Sequence, residues 1–175
     1  MMKSKKRFSA LLMATLTLMV FGAAGFAQRH LLLASAALIN RPEVKIQLAA
    51  SVERDSALLP LDNKTVVNPG EILDWTIMSE NSGNAAARDY KTIGHIPRGT
   101  TFVADSAKAD GARTGYSIDN GKSFSAQPMI EVKQADGSLK QVPAPTSMYT
   151  EIRYEWADPL ASGGKLSASY RVRVK

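Results

Sequence analysis

The sequence predicts an all-β fold, with antiparallel sheets arranged as a sandwich or a barrel. Three observations carry this. Apolar and polar residues alternate with period two in several separate runs. Turn-forming pairs built on glycine fall between those runs at short intervals. No segment after residue 40 sustains a 3.6-residue apolar repeat.

The chain begins with a segment of another kind. Lys3, Lys5, Lys6 and Arg7 precede an apolar run from Phe8 to Phe26, and Gly25-Phe26-Ala27 places small residues at the −3 and −1 positions of a cleavage site. That order is a helical secretory signal over residues 1–27, with a cut after Ala27. Ala34-Ser35-Ala36 offers a second small-x-small site after the apolar start of the stretch Leu31–Ile39, so a cut at 36 stays open. Retention of the segment as a membrane anchor is the alternative, because the first run approaches the roughly 20 residues a spanning helix needs. Leu31–Ile39 alone is too short to span. Residues 28–43 read as a linker.

From Val44 to Val52 the residues Val44, Ile46, Leu48, Ala50 and Val52 alternate with Lys45, Gln47, Ala49 and Ser51, the pattern of a strand with one buried face. A polar, proline-containing stretch from Leu59 to Gly70 separates it from a strand in which Leu73, Trp75 and Ile77 share a face. Ile152, Tyr154 and Trp156 form another such face, and Leu166, Ala168, Tyr170, Val172 and Val174 form the last. Turns are marked by Asn68-Pro69-Gly70, Asn81-Ser82-Gly83, Pro97-Arg98-Gly99, Asp110-Gly111, Asp119-Asn120-Gly121, Asp136-Gly137 and Ser162-Gly163-Gly164. No internal repeat is present, so residues 44–175 form one module.

Charge and cysteine usage narrow the function classes. The chain holds 22 basic and 16 acidic side chains, but four of the basic ones lie within residues 1–27 and none of the acidic ones do. Residues 28–175 carry 18 basic against 16 acidic side chains, a net charge of +2. That near-neutral balance gives no electrostatic footprint for nucleic acid. The chain has no cysteine, which excludes disulfides, thiolate metal sites, a cysteine nucleophile and lipidation at an N-terminal cysteine.

The stretch from Asn68 to Ser106 resembles the DUF11-type bacterial repeat domain, a secreted immunoglobulin-like β-sandwich module. The resemblance rests on the Pro69-Gly70 turn and the Asn81-Ser82-Gly83 turn. It continues through the Ala-rich entry Ala85–Tyr90, Ile96-Pro97-Arg98-Gly99-Thr100, and Phe102-Val103-Ala104-Asp105-Ser106. Downstream, Tyr116–Phe124, Tyr149-Thr150-x-Ile152-Arg153 and Pro159-Leu160-x-x-Gly163 extend the likeness to roughly residues 44–175. Gly94-His95 stands where the family usually has an acidic residue before the Ile-Pro turn. The carboxylate on which a calcium or hydrogen-bonding role would rest is therefore absent. What the resemblance implies is an exported envelope or surface building block, periplasmic or extracellular.

The chemistry-bearing residues fit that expectation. His95 is the only histidine within the module, it lies beside a Pro-Gly turn, and no second histidine accompanies it to complete a transition-metal site. Ser117-Ile118-Asp119-Asn120-Gly121-Lys122-Ser123-Phe124 matches the S-x-D-x-G-x-x-F box that braces hairpins in sialidase-type propellers. One copy cannot build a propeller, so the box reads as a braced hairpin with its aromatic tucked inward. Asp105, Asp110, Asp119 and Asp136 read as turn residues, since a calcium site needs six to eight converging oxygens and no such loop is present. Trp75, Trp156, Tyr154 and Tyr170 read as core aromatics and not as a glycan platform. Lysines, asparagines and acids are present, but no spacing singles out a trio for an isopeptide crosslink.

The sequence thus assigns no catalytic residue, no cofactor-binding residue, no metal ligand and no cofactor. It predicts a non-catalytic structural or interaction module that docks with an envelope protein, a surface polymer or itself through strand edges and loops. Contact with a membrane is expected only if the N-terminal segment is uncleaved. The ending Arg171-Val172-Arg173-Val174-Lys175 reads as one such edge, its charges restraining promiscuous pairing. The alternative is a glycan- or calcium-binding or hydrolytic domain whose site lies in the loops Ala107–Gly115 and Gln134–Thr146, with His95, Asp119 and Glu155 as the side chains to test.

Overall fold

The strands segregate into two antiparallel sheets and one free-standing hairpin. A computed structural model describes residues 40–55 and 57–175. The signal segment, both cleavage sites, His30 and the linker up to residue 39 lie outside the described residues. In chain order the strands are β1 (Val44–Arg54), β2 (Ala57–Pro60), β3 (Ile72–Asn81), β4 (Lys91–His95) and β5 (Thr100–Phe102). They continue with β6 (Ala112–Ser117), β7 (Met129–Lys133), β8 (Leu139–Pro143), β9 (Glu151–Trp156) and β10 (Lys165–Val174). A single 3-10 turn, Thr146–Met148, precedes β9. The larger sheet has the order β2-β1-β3-β10-β5, the smaller β4-β9-β6, and β7 pairs only with β8. The fold is all-β. Among the described residues no helix is long and apolar enough to cross a membrane.

Register explains which side chains meet. Residues directly opposite in an antiparallel pair project to the same face. Val52, Leu73 and Val172 stand in one row across β1, β3 and β10, and Leu48, Ile77 and Ala168 in another. Val52, Leu73, Ile77, Ala168, Tyr170 and Val172 of the larger sheet share one buried cluster with Ile152, Tyr154 and Trp156 of β9 and Phe102 of β5. The alternation read for β3, β9 and β10 therefore places the correct faces inward.

Polar atoms tie the layers together. The Tyr170 hydroxyl donates to the His95 carbonyl (2.6 Å), the Tyr154 hydroxyl to the Ser169 carbonyl (2.8 Å), and the Tyr90 hydroxyl to Ser79 Oγ (2.8 Å). Burial raises the pKa of both inner tyrosines: Tyr154 well above the ordinary phenol range, Tyr170 to about 12. Gly94 is required on β4 because a Cβ there would sit 2.5 Å from Tyr170 Cε1.

Asn81 closes one end of the fold. Its side chain is fully buried. Its Oδ1 accepts from the backbone N–H groups of Glu43 (3.0 Å) and Gly83 (3.1 Å), and its Nδ2 donates to the carbonyls of Ala85 (2.7 Å) and Leu160 (3.0 Å). The turn that follows Asn81 and two segments distant in sequence, around Glu43 and Leu160, are thereby held by one amide. Arg41 is fastened beside it, its N–H donating to Asn84 Oδ1 (2.9 Å). Residues 41–43 are thus bonded to the 81–84 turn, and the compact unit runs from Arg41 to Lys175.

Three expectations are corrected. The C-terminal strand is not an edge: β10 is flanked by β3 over Lys165–Arg173 and by β5 over Val172–Val174. The edge strands are instead β2 and β5 in one sheet and β4 and β6 in the other. The stretch after β1 is not all loop, because Asp55, at φ 50°, turns the chain so that Ala57–Pro60 pairs back onto Ser51–Arg54. Finally, β1 does not bury its whole apolar face. Val52 is buried, but Ile46 and Leu48 are 58% and 60% exposed.

Candidate functional site

The chemistry-bearing side chains gather at one end of the smaller sheet. His95 closes β4 and Glu151 opens β9, and the two are register partners. His95 Nδ1 lies 3.7 Å from Glu151 Oε1, with His95 largely exposed and Glu151 mostly covered. Gly121 covers that carboxylate so closely that any Cβ would collide with Glu151 Oε2. An imidazole beside a carboxylate is a proton-transfer pair, but the neighbouring hydroxyls are engaged elsewhere. Thr150 Oγ1 donates to the Ser117 carbonyl (3.2 Å) and accepts from the Asn120 N–H (3.1 Å), while Ser117 Oγ is buried and donates to Asp119 Oδ1 (2.7 Å).

The box from Ser117 to Phe124 is a brace, as its sequence implies. Asp119 Oδ1 accepts from the Ser123 N–H (3.0 Å), Asp119 Oδ2 from the Ser123 hydroxyl (2.6 Å), and Ser117 Oγ from the Gly121 N–H (2.9 Å). The bonds from Ser123 and then Ser117 hold the Asp119 carboxyl down at about 2. Its carboxylate is fully occupied within the hairpin. Phe124 departs from expectation: it does not enter the core but lies under the Arg153 guanidinium, 4.3 Å from ring centroid to Cζ. Arg153 belongs to the outward parity of β9, opposite to buried Ile152 and Tyr154, so the hairpin folds its aromatic onto the outer face.

The remaining candidates are scattered. Glu155 lies four residues along β9 from Glu151, about 13 Å at strand rise, and pairs with Arg153 Nε at 2.7 Å in a geometry too bent for a hydrogen bond. The Asp110 carbonyl accepts from Trp156 Nε1 (2.9 Å), Asp136 caps the β7–β8 turn through Ser138, and Asp105 sits in a left-handed turn at φ 59°. Tyr154, Tyr170 and Trp156 are buried and Trp75 is packed against them. Of the two loops named for a ligand site, Ala107–Gly115 is partly strand β6 and Gln134–Thr146 contains strand β8. Every lysine among the described residues is exposed, so no buried lysine faces an asparagine. Among the described residues no group of three histidine or acidic side chains could hold a metal ion.

A different feature is built at the flank. The contacts of β4 through Gly94 and His95 with Tyr170, and of Tyr90 with Ser79, set β4 over β3 and β10. Phe102 of β5 packs tilted against Tyr116 of β6, so from β4 to β6 the smaller sheet runs away from β1. The next position beyond β4 lies over β1, and no strand occupies it among the described residues. That vacancy is why Ile46 and Leu48, which share the core-facing side with Ser79 and Ile77, remain exposed.

The β4 edge facing the vacancy has no strand partner among the described residues. The Trp156 N–H donates to the Tyr90 carbonyl (3.1 Å) and the Ile96 N–H to the Thr150 carbonyl (2.9 Å). By antiparallel alternation, Tyr90, Thr92, Gly94 and Ile96 turn their backbone groups to β9, and Lys91, Ile93 and His95 turn theirs outward. Among the described residues, only the His95 carbonyl of these groups has a partner, the Tyr170 hydroxyl. Among the described residues β1 likewise has no strand partner on its outer side over Val44–Ala49, since β2 pairs only from Ser51 onward. The flank thus joins two unpaired backbone edges to an apolar floor of Ile46 and Leu48.

Comparison with known protein families, curated proteins and solved structures finds no match to this chain. Sequence reasoning did not find the flank. The available signal was the length mismatch between the apolar alternation of β1 and the few strands able to cover it.

Proposed function

We propose that the chain is an exported, non-catalytic structural or interaction module of the cell envelope or surface, an immunoglobulin-like β-sandwich of the DUF11 type that docks through its open flank. The observation that carries this reading is the pairing of an open β4 edge with the exposed Ile46 and Leu48. An unpaired edge supplies main-chain hydrogen bonds, and an adjacent apolar face supplies burial, the two ingredients of strand addition. The two antiparallel sheets sharing one core, with the turns at Pro69-Gly70, Asn81-Ser82-Gly83 and Pro97-Arg98-Gly99 between strands, support the immunoglobulin-like reading. The signal-like N-terminus supports export.

The test is retention of the full chain in the envelope fraction of cells that export it. Leu48→Asp changes a side chain that is 60% exposed, so the fold should be kept. Retention should fall with circular dichroism unchanged. Undiminished retention of folded Leu48→Asp protein would refute docking at this flank. The His95–Glu151 pair has its own check: turnover lost in His95→Ala or Glu151→Gln without unfolding would show a catalytic function.

A further inference from the structure

We propose that the free-standing β7–β8 hairpin is a self-association arm, which pairs along β7 with β7 of a second copy of this chain. The ribbon is incomplete as a sheet. Among the described residues β7 pairs with β8 and with no other strand, and every residue from Glu131 to Gln141 is exposed. Two strands alone are marginal in water, and a third is needed for a sheet that holds. The ribbon also keeps apolar side chains in solvent: Met129, Val132 and Leu139 are 42%, 38% and 66% exposed.

Hydrogen-bond phase selects β7 over β8 as the pairing edge. The Gln134 N–H donates to the Ser138 carbonyl and the Ala144 N–H to the Pro128 carbonyl, both at 2.8 Å. By antiparallel alternation the even-numbered residues turn their backbone groups into the ribbon. Met129, Glu131 and Lys133 therefore point theirs outward on β7, and Leu139, Gln141 and Pro143 do so on β8. Pro143 has no N–H to give, so the β8 edge is blunted. The β7 edge keeps each donor and acceptor.

Charge fixes the partner and the register. Among the described residues Glu131 and Lys133 take part in no ion pair. They flank Val132 with opposite signs, so Glu131-Val132-Lys133 is its own charge complement when read backwards. A two-fold axis through Val132 sets Glu131 of each copy against Lys133 of the other, and both residue pairs exchange their outward main-chain bonds. Val132 meets Val132 of the second copy on the axis, in the close, non-hydrogen-bonded position. A slip of two residues opposes Glu131 to Glu131 or Lys133 to Lys133, which like-charge repulsion disfavours. The contact is isologous and closes at a dimer. With five residues a side it is smaller than a stable interface needs, so the two copies exchange readily.

The natural chain has no cysteine, so a single Val132→Cys in the full chain reads this contact as a covalent dimer. Opposed Cα atoms at a non-hydrogen-bonded position lie about 4.5 Å apart, within disulfide reach. Mild oxidation is expected to give the dimer, and Gln141→Cys on the far edge is expected to give far less. Adding Glu131→Lys or Lys133→Glu to Val132→Cys should cut the yield about tenfold, because attraction becomes repulsion at both pairs. Mixing the two charge variants should restore it, as a dimer holding one chain of each. All of these positions are exposed, and an unchanged circular dichroism spectrum checks that the fold is kept. No disulfide dimer of folded Val132→Cys protein overturns the proposal. So does a yield that Gln141→Cys equals, that the single charge reversals leave unchanged, or that mixing does not restore. The arm and the flank beside β4 are different surfaces, so none of these failures touches docking at the flank, which is read from Leu48→Asp and envelope retention.

Discussion

Replacing Asn81 by alanine removes four hydrogen bonds from one buried amide, and the structure sets how much that weakens the fold. At about 1 kcal/mol net for each bond, the upper figure is about 4 kcal/mol. The orphaned partners moderate it. Glu43 is exposed and recovers water, Ala85 is only half-buried, and the Leu160 carbonyl keeps the Ala87 N–H at 2.9 Å. A loss of about 3 kcal/mol is expected, a fall in Tm of about 10 °C for a domain of this size. Asn81→Asp separates donor from acceptor. It keeps the oxygens that serve Glu43 and Gly83 but turns a carboxylate toward the carbonyls of Ala85 and Leu160. Burial and those carbonyls raise its folded pKa above the unfolded value, so its penalty is full at pH 7 and shrinks as pH falls through the folded pKa. Urea unfolding of all three proteins at pH 7 and pH 5 measures this. Wild-type stability within about 0.5 kcal/mol for Asn81→Ala, or an Asn81→Asp penalty that does not change with pH, would refute the account of Asn81 as the clasp.

Further expectations concern the interior and the acid limit. Gly94→Val should destabilise by about 2 kcal/mol through overpacking against Tyr170, read by thermal melting; an unchanged Tm would mean that the layers yield there. Tyr170→Phe should lose about 1 kcal/mol with its bond to His95, and a neutral result in urea unfolding would show that the bond adds nothing. In an ultraviolet titration of the five tyrosines, Tyr154 and Tyr170 should ionise last, only as the fold opens. Glu71 is held at about 2 chiefly by the bonds from Arg54, and Asp119 at about 2 chiefly by those from Ser123. Both carboxyls are depressed below their unfolded values, so the stability they add is whole above about pH 5 and lost as pH falls toward 2. Asp119→Ala should remove its part of that acid sensitivity and speed amide exchange at Ser123 and Gly121.

What the sequence disclosed, and what it hid, depends on the range of each signal. Alternation is local, so the inward faces of β3, β9 and β10 were legible residue by residue. The brace around Asp119 was legible too, because its donors lie within four residues. Spatial order is not local. The ending from Arg171 to Lys175 reads as an edge because it is the chain's end, yet it lies between β3 and β5. The same gap in information hid the flank: Ile46 and Leu48 alternate as regularly as Val52, and nothing in β1 itself records that the smaller sheet stops at β4. Phe124 went outward because Arg153, 29 positions away, offers its ring a flat cation.

The interior place of β10 also fixes when this domain can come into being. β3 gains its second partner, and β5 its only one, from β10, which also brings Tyr170 to stack beside Trp75 from 95 positions away. A chain growing from its N-terminus therefore carries β2, β1 and β3 as an unfinished sheet until β10 has been made. Completion of the larger sheet waits on β10, and a chain that still lacks Lys165–Val174 leaves β3 with one partner and β5 with none.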